Sequence, residues 1–441
     1  MDNTGILAIM MFPAVALGVF LGFPVFAVLM GTALLLGLIG WGPQVMDQMV
    51  SCAFWVLMND ALPAVPLFVF MGSMLEKSGL AERAFKLMQI ILGPVRGSLA
   101  LATIVLCTLF AAGTGIVGAS VTMMGLLALP VMLERKYDIP LATGTIIAGG
   151  TLGILIPPSI MLVLYGPLAG LSVARLFTAA IMPGLLLSAL YMAYVLVMCL
   201  IKPELGPPLP PEERKVPLKQ LLTLIAIDLV PFLFTILAVL GSILFGLASP
   251  TEAAAVGSVA SLGLAAIHKQ LNLKNILKAV QETAMTSSFI LTITLGANIF
   301  TGVFLALGGG TVITNILMSL PIGPYGILFV ILGIIFILGF FIDWIAILLI
   351  FIPIVTPIVP KLGFNPLWFA IVVCVCLQTS FLTPPFAYSI FYLKGIAPPQ
   401  VKLSHIYKGV IPFVILQLIG TALCVKYPQI ILWLPKLMYG R

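Results

Sequence analysis

The chain has 441 residues, of which 61% are hydrophobic and 8% charged, with a mean hydropathy of +1.24 and a formal net charge of +7. A soluble domain of that length needs far more polar surface, so the composition excludes one. The basic residues scatter at the ends of apolar runs, which marks membrane topology rather than a nucleic-acid surface.

Taken in order, the run Ile6–Gly22 has no basic leader and no small-residue cleavage site, and reads as a first membrane helix rather than a removed signal. Further helices are expected at about 24–40, 61–76, 140–170 (broken) and 173–201, with amphipathic arms at 44–59 and 80–93. The apolar stretch 98–133 is interrupted by Gly113-Thr114-Gly115 and reads as a helical hairpin that enters and leaves on one side. Residues Lys202–Lys219 are Pro-rich and charged, so they form a linker. Beyond it the pattern returns, with a hairpin at about 324–360, a broken helix at about 365–395, and arms at 272–288 and 309–320. The runs do not alternate in polarity, which argues against a β-barrel.

The return keeps register. Pro157-Pro158 recurs 227 positions on as Pro384-Pro385, and Pro130 recurs at the same offset as Pro357; Pro24 and Gly31 recur 226 on as Pro250 and Gly257. The expected fold is an all-α polytopic membrane protein built from two copies, 1–201 and 220–441, joined by a cytoplasmic linker, 202–219. Five crossings per copy give about ten spanning helices plus two re-entrant hairpins, and the odd count inverts the second copy. That arrangement, with paired Pro breaks, is typical of secondary transporters. Loop charges agree. Arg96 and Glu134-Arg135-Lys136 flank the first hairpin, Lys361 alone flanks the second, and the linker carries Lys202, Arg214, Lys215 and Lys219, so the first hairpin and the linker are expected inside. The basic C-terminal residues Lys426, Lys436 and Arg441 run against this scheme.

The chemistry sits at the breaks. Proline has no N–H, so Pro157 and Pro158 free the carbonyls of Gly153 and Ile154, beside the hydroxyls of Thr151 and Ser159. Pro384 and Pro385 likewise free those of Ser380 and Phe381, beside Thr379, Ser380 and Thr383. A desolvated Na⁺ prefers such oxygen ligands; the bland alternative is a kink satisfied by neighbouring helices. The hairpin tips, 111–120 and 338–347, fall at corresponding places. Gly113 and Gly115 permit a tight turn, Thr114 supplies a hydroxyl, and the following helix N-terminus suits a carboxylate. Asp343 is an ionisable group at membrane depth, either functional or capping its helix. Glu252 reads as a helix cap and Asp228 as a scaffold residue. The expected first Na⁺ site is Thr114, Thr151, Gly153, Ile154, Pro157 and Ser159. The second is Asp343, Thr379, Ser380, Phe381, Thr383 and Pro384, and the substrate site is Gly113, Thr114, Gly115, Pro158 and Pro385. The six cysteines are dispersed, no metal cluster or catalytic constellation is visible, and no phosphate-binding GxxxxGK[ST] loop occurs. Irregular backbone at membrane depth must be buried or line a cavity. The hairpins and broken helices, about 98–170 and 324–395, are therefore expected to form one moving unit held by the remaining helices and arms.

The segments GTLGILIPPSI, SPTEAAAVG, GFFIDWIAILLIFIP and SFLTPPFAYSIFYLKG together resemble the large membrane subunit of tripartite ATP-independent periplasmic (TRAP) transporters. The resemblance implies an ion-transporter-superfamily fold, an elevator mechanism, Na⁺ coupling and a place in the bacterial inner membrane. It also implies two partners, a small four-helix membrane subunit and a periplasmic binding protein that delivers organic acids. Many members carry Ser-Gly-Ser at the first hairpin tip. This chain has Thr114-Gly115-Ile116, which keeps the first hydroxyl and loses the second and so favours a 2-oxo acid or dicarboxylate over a polyhydroxylated sialate. The expectation is a permease subunit and not an enzyme. Its nearest rival is an autonomous carboxylate transporter of the same fold; a channel or an intramembrane enzyme fits less well, for want of a filter sequence or paired catalytic groups.

Overall fold

The computed structural model describes residues 3–115, 117–213, 216–384 and 387–440. Its first half contains α1 (Asn3–Phe20), α2 (Val25–Trp41), α3 (Gln44–Leu57), α4 (Ala64–Lys77), α5 (Leu80–Leu92), α6 (Ser98–Thr114), α7 (Val117–Glu134), α8 (Ile139–Thr151), α9 (Ile160–Ala169) and α10 (Val173–Ile201). The second contains α11 (Leu218–Leu224), α12 (Val230–Leu244), α13 (Pro250–Ile267), α14 (Leu273–Ala306), α15 (Gly309–Met318), α16 (Gly323–Leu338), α17 (Trp344–Val355), α18 (Pro366–Leu377), α19 (Tyr388–Ile396), α20 (Leu403–Lys426) and α21 (Gln429–Tyr439). No strand occurs among the described residues. Among the described residues, seven helical stretches are long and apolar enough to cross a membrane, including α7 and the run Lys219–Leu244, and eight shorter apolar helices accompany them.

Local chemistry sets the boundaries. Asp138 caps α8, accepting from Leu141 N at 3.0 Å, and Asn365 caps α18, accepting from Leu367 N at 2.9 Å. Each is followed within two residues by a proline whose missing N–H costs nothing in a first turn. Ser249 and Glu252 form a reciprocal capping box at α13. Both broken helices appear where the prolines fall: α8 passes through a 3-10 turn, Leu152–Ile154, before α9, and α18 through Gln378–Phe381 before α19. The Pro157-Pro158 bond is cis.

One expectation is corrected, and two further features were not expected. The arm at 272–288 is not separate but continuous with the membrane helix, giving the 34-residue α14. In the first half Pro63 and Pro66 divide α3 from α4, and no proline stands in the corresponding stretch of the second. A C-terminal helix, α21, also forms beyond α20. Finally, α10 and α20 do not stand apart from the broken helices. Gly144 of α8 and Gly409 of α20 meet backbone to backbone. A Cβ on Gly409 would lie 2.1 Å from the Pro140 carbonyl oxygen, and one on Gly144 would lie 2.2 Å from that of Gly409. Small residues allow such approach between membrane helices, and here they fix α20 to α8.

The halves interlock. Helix α4 packs on α13 and α14 on α2; α9 packs on α17 and α19 on α7. The linker folds over the starts of α6 and α8, with Gly97 N donating to Gly206 O at 2.9 Å and Asp138 N to Leu205 O at 3.0 Å. Asn365, at the start of α18, instead shares a cleft with Ser172 and Arg175 at the start of α10. Helices α8 and α18 therefore begin at opposite ends of α10.

Candidate functional site at the hairpin tips and helix breaks

Four helices begin at one cavity. Its volume is about 420 Å³, and its wall includes Val117, Ile160, Trp344 and Tyr388, the first residues of α7, α9, α17 and α19. The ends of the preceding segments, Gly115, Ile154 and Phe381, complete the ring, and Met285, Thr286, Phe289 and Ile290 of α14 close one side. Helix N-termini carry partial positive charge from unpaired N–H groups, and C-terminal ends present carbonyls. The cavity therefore offers both kinds of partner without a basic side chain. Among the described lining residues only Asp343 is of a charged type.

Each hairpin tip sits on the break of its own half. A Cβ on Gly115 would lie 3.4 Å from the Pro158 carbonyl oxygen and 3.7 Å from Ile160 N. Gly115 has φ +60, which only glycine adopts without strain, so the turn and the close approach make the same demand. A Cβ on Gly339 would lie 2.5 Å from Ser380 Cβ. The Gly115 and Asp343 tips thus face one space although they lie far apart in the chain.

At the first break, no donor among the described residues reaches the Gly153 carbonyl, whereas the Ile154 carbonyl accepts from the Ser159 hydroxyl. Two oxygens read from the sequence as independent ligands are thus joined. Thr151 Oγ1 donates to Ala148 O at 2.8 Å and accepts from Gln378 Nε2 at 3.3 Å. At the second break the Ser380 carbonyl likewise has no donor among the described residues. The hydroxyls of Thr379, Ser380 and Thr383 turn back onto the carbonyls of Cys376, Leu377 and Thr379, at 2.6, 2.6 and 2.9 Å. Their remaining lone pairs are what they offer an ion. Asp343 is 7% exposed and caps α17, accepting from Ile345 N at 3.0 Å. Its capping and cavity-lining roles coincide.

Two expected substrate residues lie elsewhere. Gly113 faces Leu75 and Phe232, with 3.0 Å from its would-be Cβ to Leu75 Cδ1, because it lies two residues before the cavity-lining Gly115, about 200° round a helix. Pro158 meets the first tip through its carbonyl rather than lining the cavity. The Thr114 side chain and Pro385 fall outside the described residues. Sequence reasoning did not find the wall from α14, nor Tyr388 and Tyr392. Thr286 and Phe289 carry no motif, and only the packing of α14 across the tips gives them a place. The scaffold reading of Asp228 is met by its neighbours: its carboxylate lies 3.5 Å from Arg83 of α5 and 3.8 Å from His268. No group of three potential metal-ligating side chains gathers among the described residues.

The family model for the DctM component of tripartite ATP-independent periplasmic transporters matches residues 4–430. The isethionate TRAP transporter permease protein DctMQ of Oleidesulfovibrio alaskensis is 31% identical over 94% of this chain, which spans 64% of that relative's length. The C4-dicarboxylate TRAP transporter large permease protein DctM of Pseudomonas aeruginosa is 30% identical over 85% of this chain and 86% of its own. The sialic acid TRAP transporter large permease protein SiaM of Vibrio cholerae is 28% identical over 87% and 88%. Among solved structures, the YdaH transporter of Alcanivorax borkumensis superposes with a TM-score of 0.60 at 14% identity, over 88% of this chain and 89% of that one, a likeness of fold alone. The relatives are transport permeases rather than enzymes, and with the match running nearly end to end, this chain belongs to the DctM-component family of tripartite ATP-independent periplasmic transporters.

Proposed function

We propose that the chain is the large permease subunit of a Na⁺-coupled, binding-protein-dependent importer of small organic acids, working in a bacterial inner membrane by elevator-type alternating access. The observation that carries this reading is the convergence of four helix N-termini on the 420 Å³ cavity, with undonated carbonyls at Gly153 and Ser380 behind it. N-terminal ends suit a carboxylate, and carbonyl ends suit a small hard cation. The helix ends of the first half, whose described cavity-lining residues carry no acidic side chain, take the acid, while Asp343 draws Na⁺ to the second. The opposite starts of α8 and α18 support an inverted repeat, and an inverted repeat supports alternation between two symmetry-related states. Hairpins, broken helices, α10 and α20 move together; α1–α5 and α11–α15 hold them.

The substrate belongs to the 2-oxo acid or dicarboxylate class. The first tip lacks a second hydroxyl, and with no basic residue among the lining side chains, recognition falls on carboxylate groups at helix ends. A periplasmic binding protein and a small membrane subunit complete the system. The relative DctMQ, longer than this chain, supports a small subunit supplied separately. A second reading, an autonomous Na⁺-driven carboxylate transporter, draws on the likeness of fold to transporters outside the family. Proteoliposomes decide between them. Uptake of pyruvate, 2-oxoglutarate, succinate and malate is measured with and without a Na⁺ gradient and with and without binding protein. The proposal expects uptake only with both. Uptake without binding protein selects the second reading, and uptake indifferent to Na⁺ defeats both.

A further inference from the structure

The cavity continues beyond the tips. A second chamber of about 290 Å³ shares Gly118, Thr286 and Tyr392 with it and adds Ser73 and Glu76 of α4, Thr122 of α7 and Glu282 of α14. The Tyr392 ring lies over Gly118, where a Cβ would stand 2.9 Å from it, and forms the partition. From cavity to chamber, three helices run toward basic ends: α4 to Lys77, α7 to Arg135 and Lys136, and α14 backwards to Lys278 and Lys274. Basic ends mark the cytoplasmic side. The chamber is therefore on the inward route.

Its charges are unevenly committed. One oxygen of Glu282 accepts from Ser73 Oγ and from Lys77 Nζ, each at 2.6 Å. This holds α14 to α4 and commits Lys77, beside the chamber, to Glu282. Glu76 makes no hydrogen bond or ion pair among the described residues and faces the chamber. Two carboxylates against one ammonium leave the wall net negative.

We propose that this chamber is the cytoplasmic release route and that Glu76 acts in it as an electrostatic filter, speeding departure of the organic anion and opposing its return. The proposal rests on the organic-acid reading above. Unit charges about 8 Å apart in a partly hydrated site, at an effective dielectric near 20, alter occupancy on the order of tenfold. Lys77 is in contact with Glu282 and reaches Glu76 only at longer range, so Glu76 carries the effect. Thr122, on the opposite wall, marks where a second carboxylate acts in the same sense.

The test uses the complete complex in proteoliposomes, with whichever of pyruvate, 2-oxoglutarate, succinate and malate the wild type takes up best. That acid, unlabelled, is preloaded inside, and inhibition of labelled uptake is read against its internal concentration. Glu76→Gln is expected to lower the half-inhibiting internal concentration about tenfold, with the Na⁺ half-saturation at its wild-type value. Glu76→Asp should stay close to wild type, and Thr122→Glu should shift inhibition the opposite way and offset Glu76→Gln in the double variant. Unshifted trans-inhibition in both Glu76→Gln and Thr122→Glu overturns the filter. A changed Na⁺ half-saturation in Glu76→Gln overturns it by making the residue an ion ligand. No uptake of any of the four acids by wild type overturns both this proposal and the reading beneath it.

Discussion

The two halves place the same elements around one cavity but charge them differently. In the first, the position that corresponds to Asp343, 227 residues earlier, carries the uncharged Ile116. In the second, α17 starts at Asp343, a carboxylate that caps the helix and lines the cavity. Duplication supplies the geometry twice; on the function proposed above, a single acidic residue makes one side attractive to cations and leaves the other to anions. The difference also separates what a helix needs from what an ion needs, because Asn caps a helix about as well as Asp.

That equivalence gives the largest expected effect. Asp343→Asn keeps the cap and removes the charge, so the protein should insert and melt like wild type while Na⁺-driven uptake falls by about a hundredfold, from loss of a charged ligand in a low-dielectric site. If Asp343→Asn transports normally and only Asp343→Ala fails, the residue is a cap and nothing more. The converse experiment adds charge where the first half has none. Val117→Asp, at the first residue of α7, opposes a positive helix end and should raise the half-saturation for the acid by about tenfold while leaving that for Na⁺ near wild type. Equal shifts in both would erase the division of labour between the halves.

Smaller, and acting on both halves alike, are the breaks. Replacing Pro157-Pro158 or Pro384-Pro385 by Ala-Ala restores the N–H groups that the carbonyls of Gly153 and Ser380 lack. Na⁺ stimulation of uptake should drop about tenfold in each, since a carbonyl reclaimed by the helix ladder is no longer free for an ion. Retained Na⁺ dependence in both variants would reduce the breaks to kinks.

The breaks were legible because proline writes its effect on a single residue four positions back, so Gly153 and Ser380 followed from arithmetic. The hairpin tips were legible for a similar reason, a glycine pair or an isolated acid in a long apolar run. Residues whose role depends on another helix were not. Thr286 and Phe289 look like any membrane-helix residues until α14 crosses the tips, and Gly113 and Gly115 differ only in which way the helix turns. The attachment of α20 to α8 rests on Gly144 and Gly409, 265 positions apart in the chain, and glycine is too common here for that pair to be singled out. The continuous α14 was missed because repetition suggested an interruption that the second half lost along with its prolines.

The finest distinction between the halves lies where they touch. Gln378 donates to Thr151 at 3.3 Å, and the two residues stand 227 positions apart, the offset of the repeat itself. Equivalent positions meet only near an axis relating the two copies, so this bond marks that axis. Its partners are not equivalent energetically. Thr151 also donates to Ala148 O, whereas the Gln378 Oε1 atom is buried without a hydrogen-bond partner among the described residues. Thr151→Val removes the acceptor and leaves both ends of a buried amide unpaired, which costs about 1–3 kcal/mol. Gln378→Leu removes the orphaned oxygen together with the donor and should be nearly neutral. Thermal melting of the purified protein should therefore show a clear loss for Thr151→Val, little for Gln378→Leu, and for the double variant a value close to Gln378→Leu alone, a coupling as large as the whole Thr151→Val loss, ~1–3 kcal/mol. If Gln378→Leu proves the more damaging, the amide has a partner that this bond does not reveal, and the axis carries more than a tether.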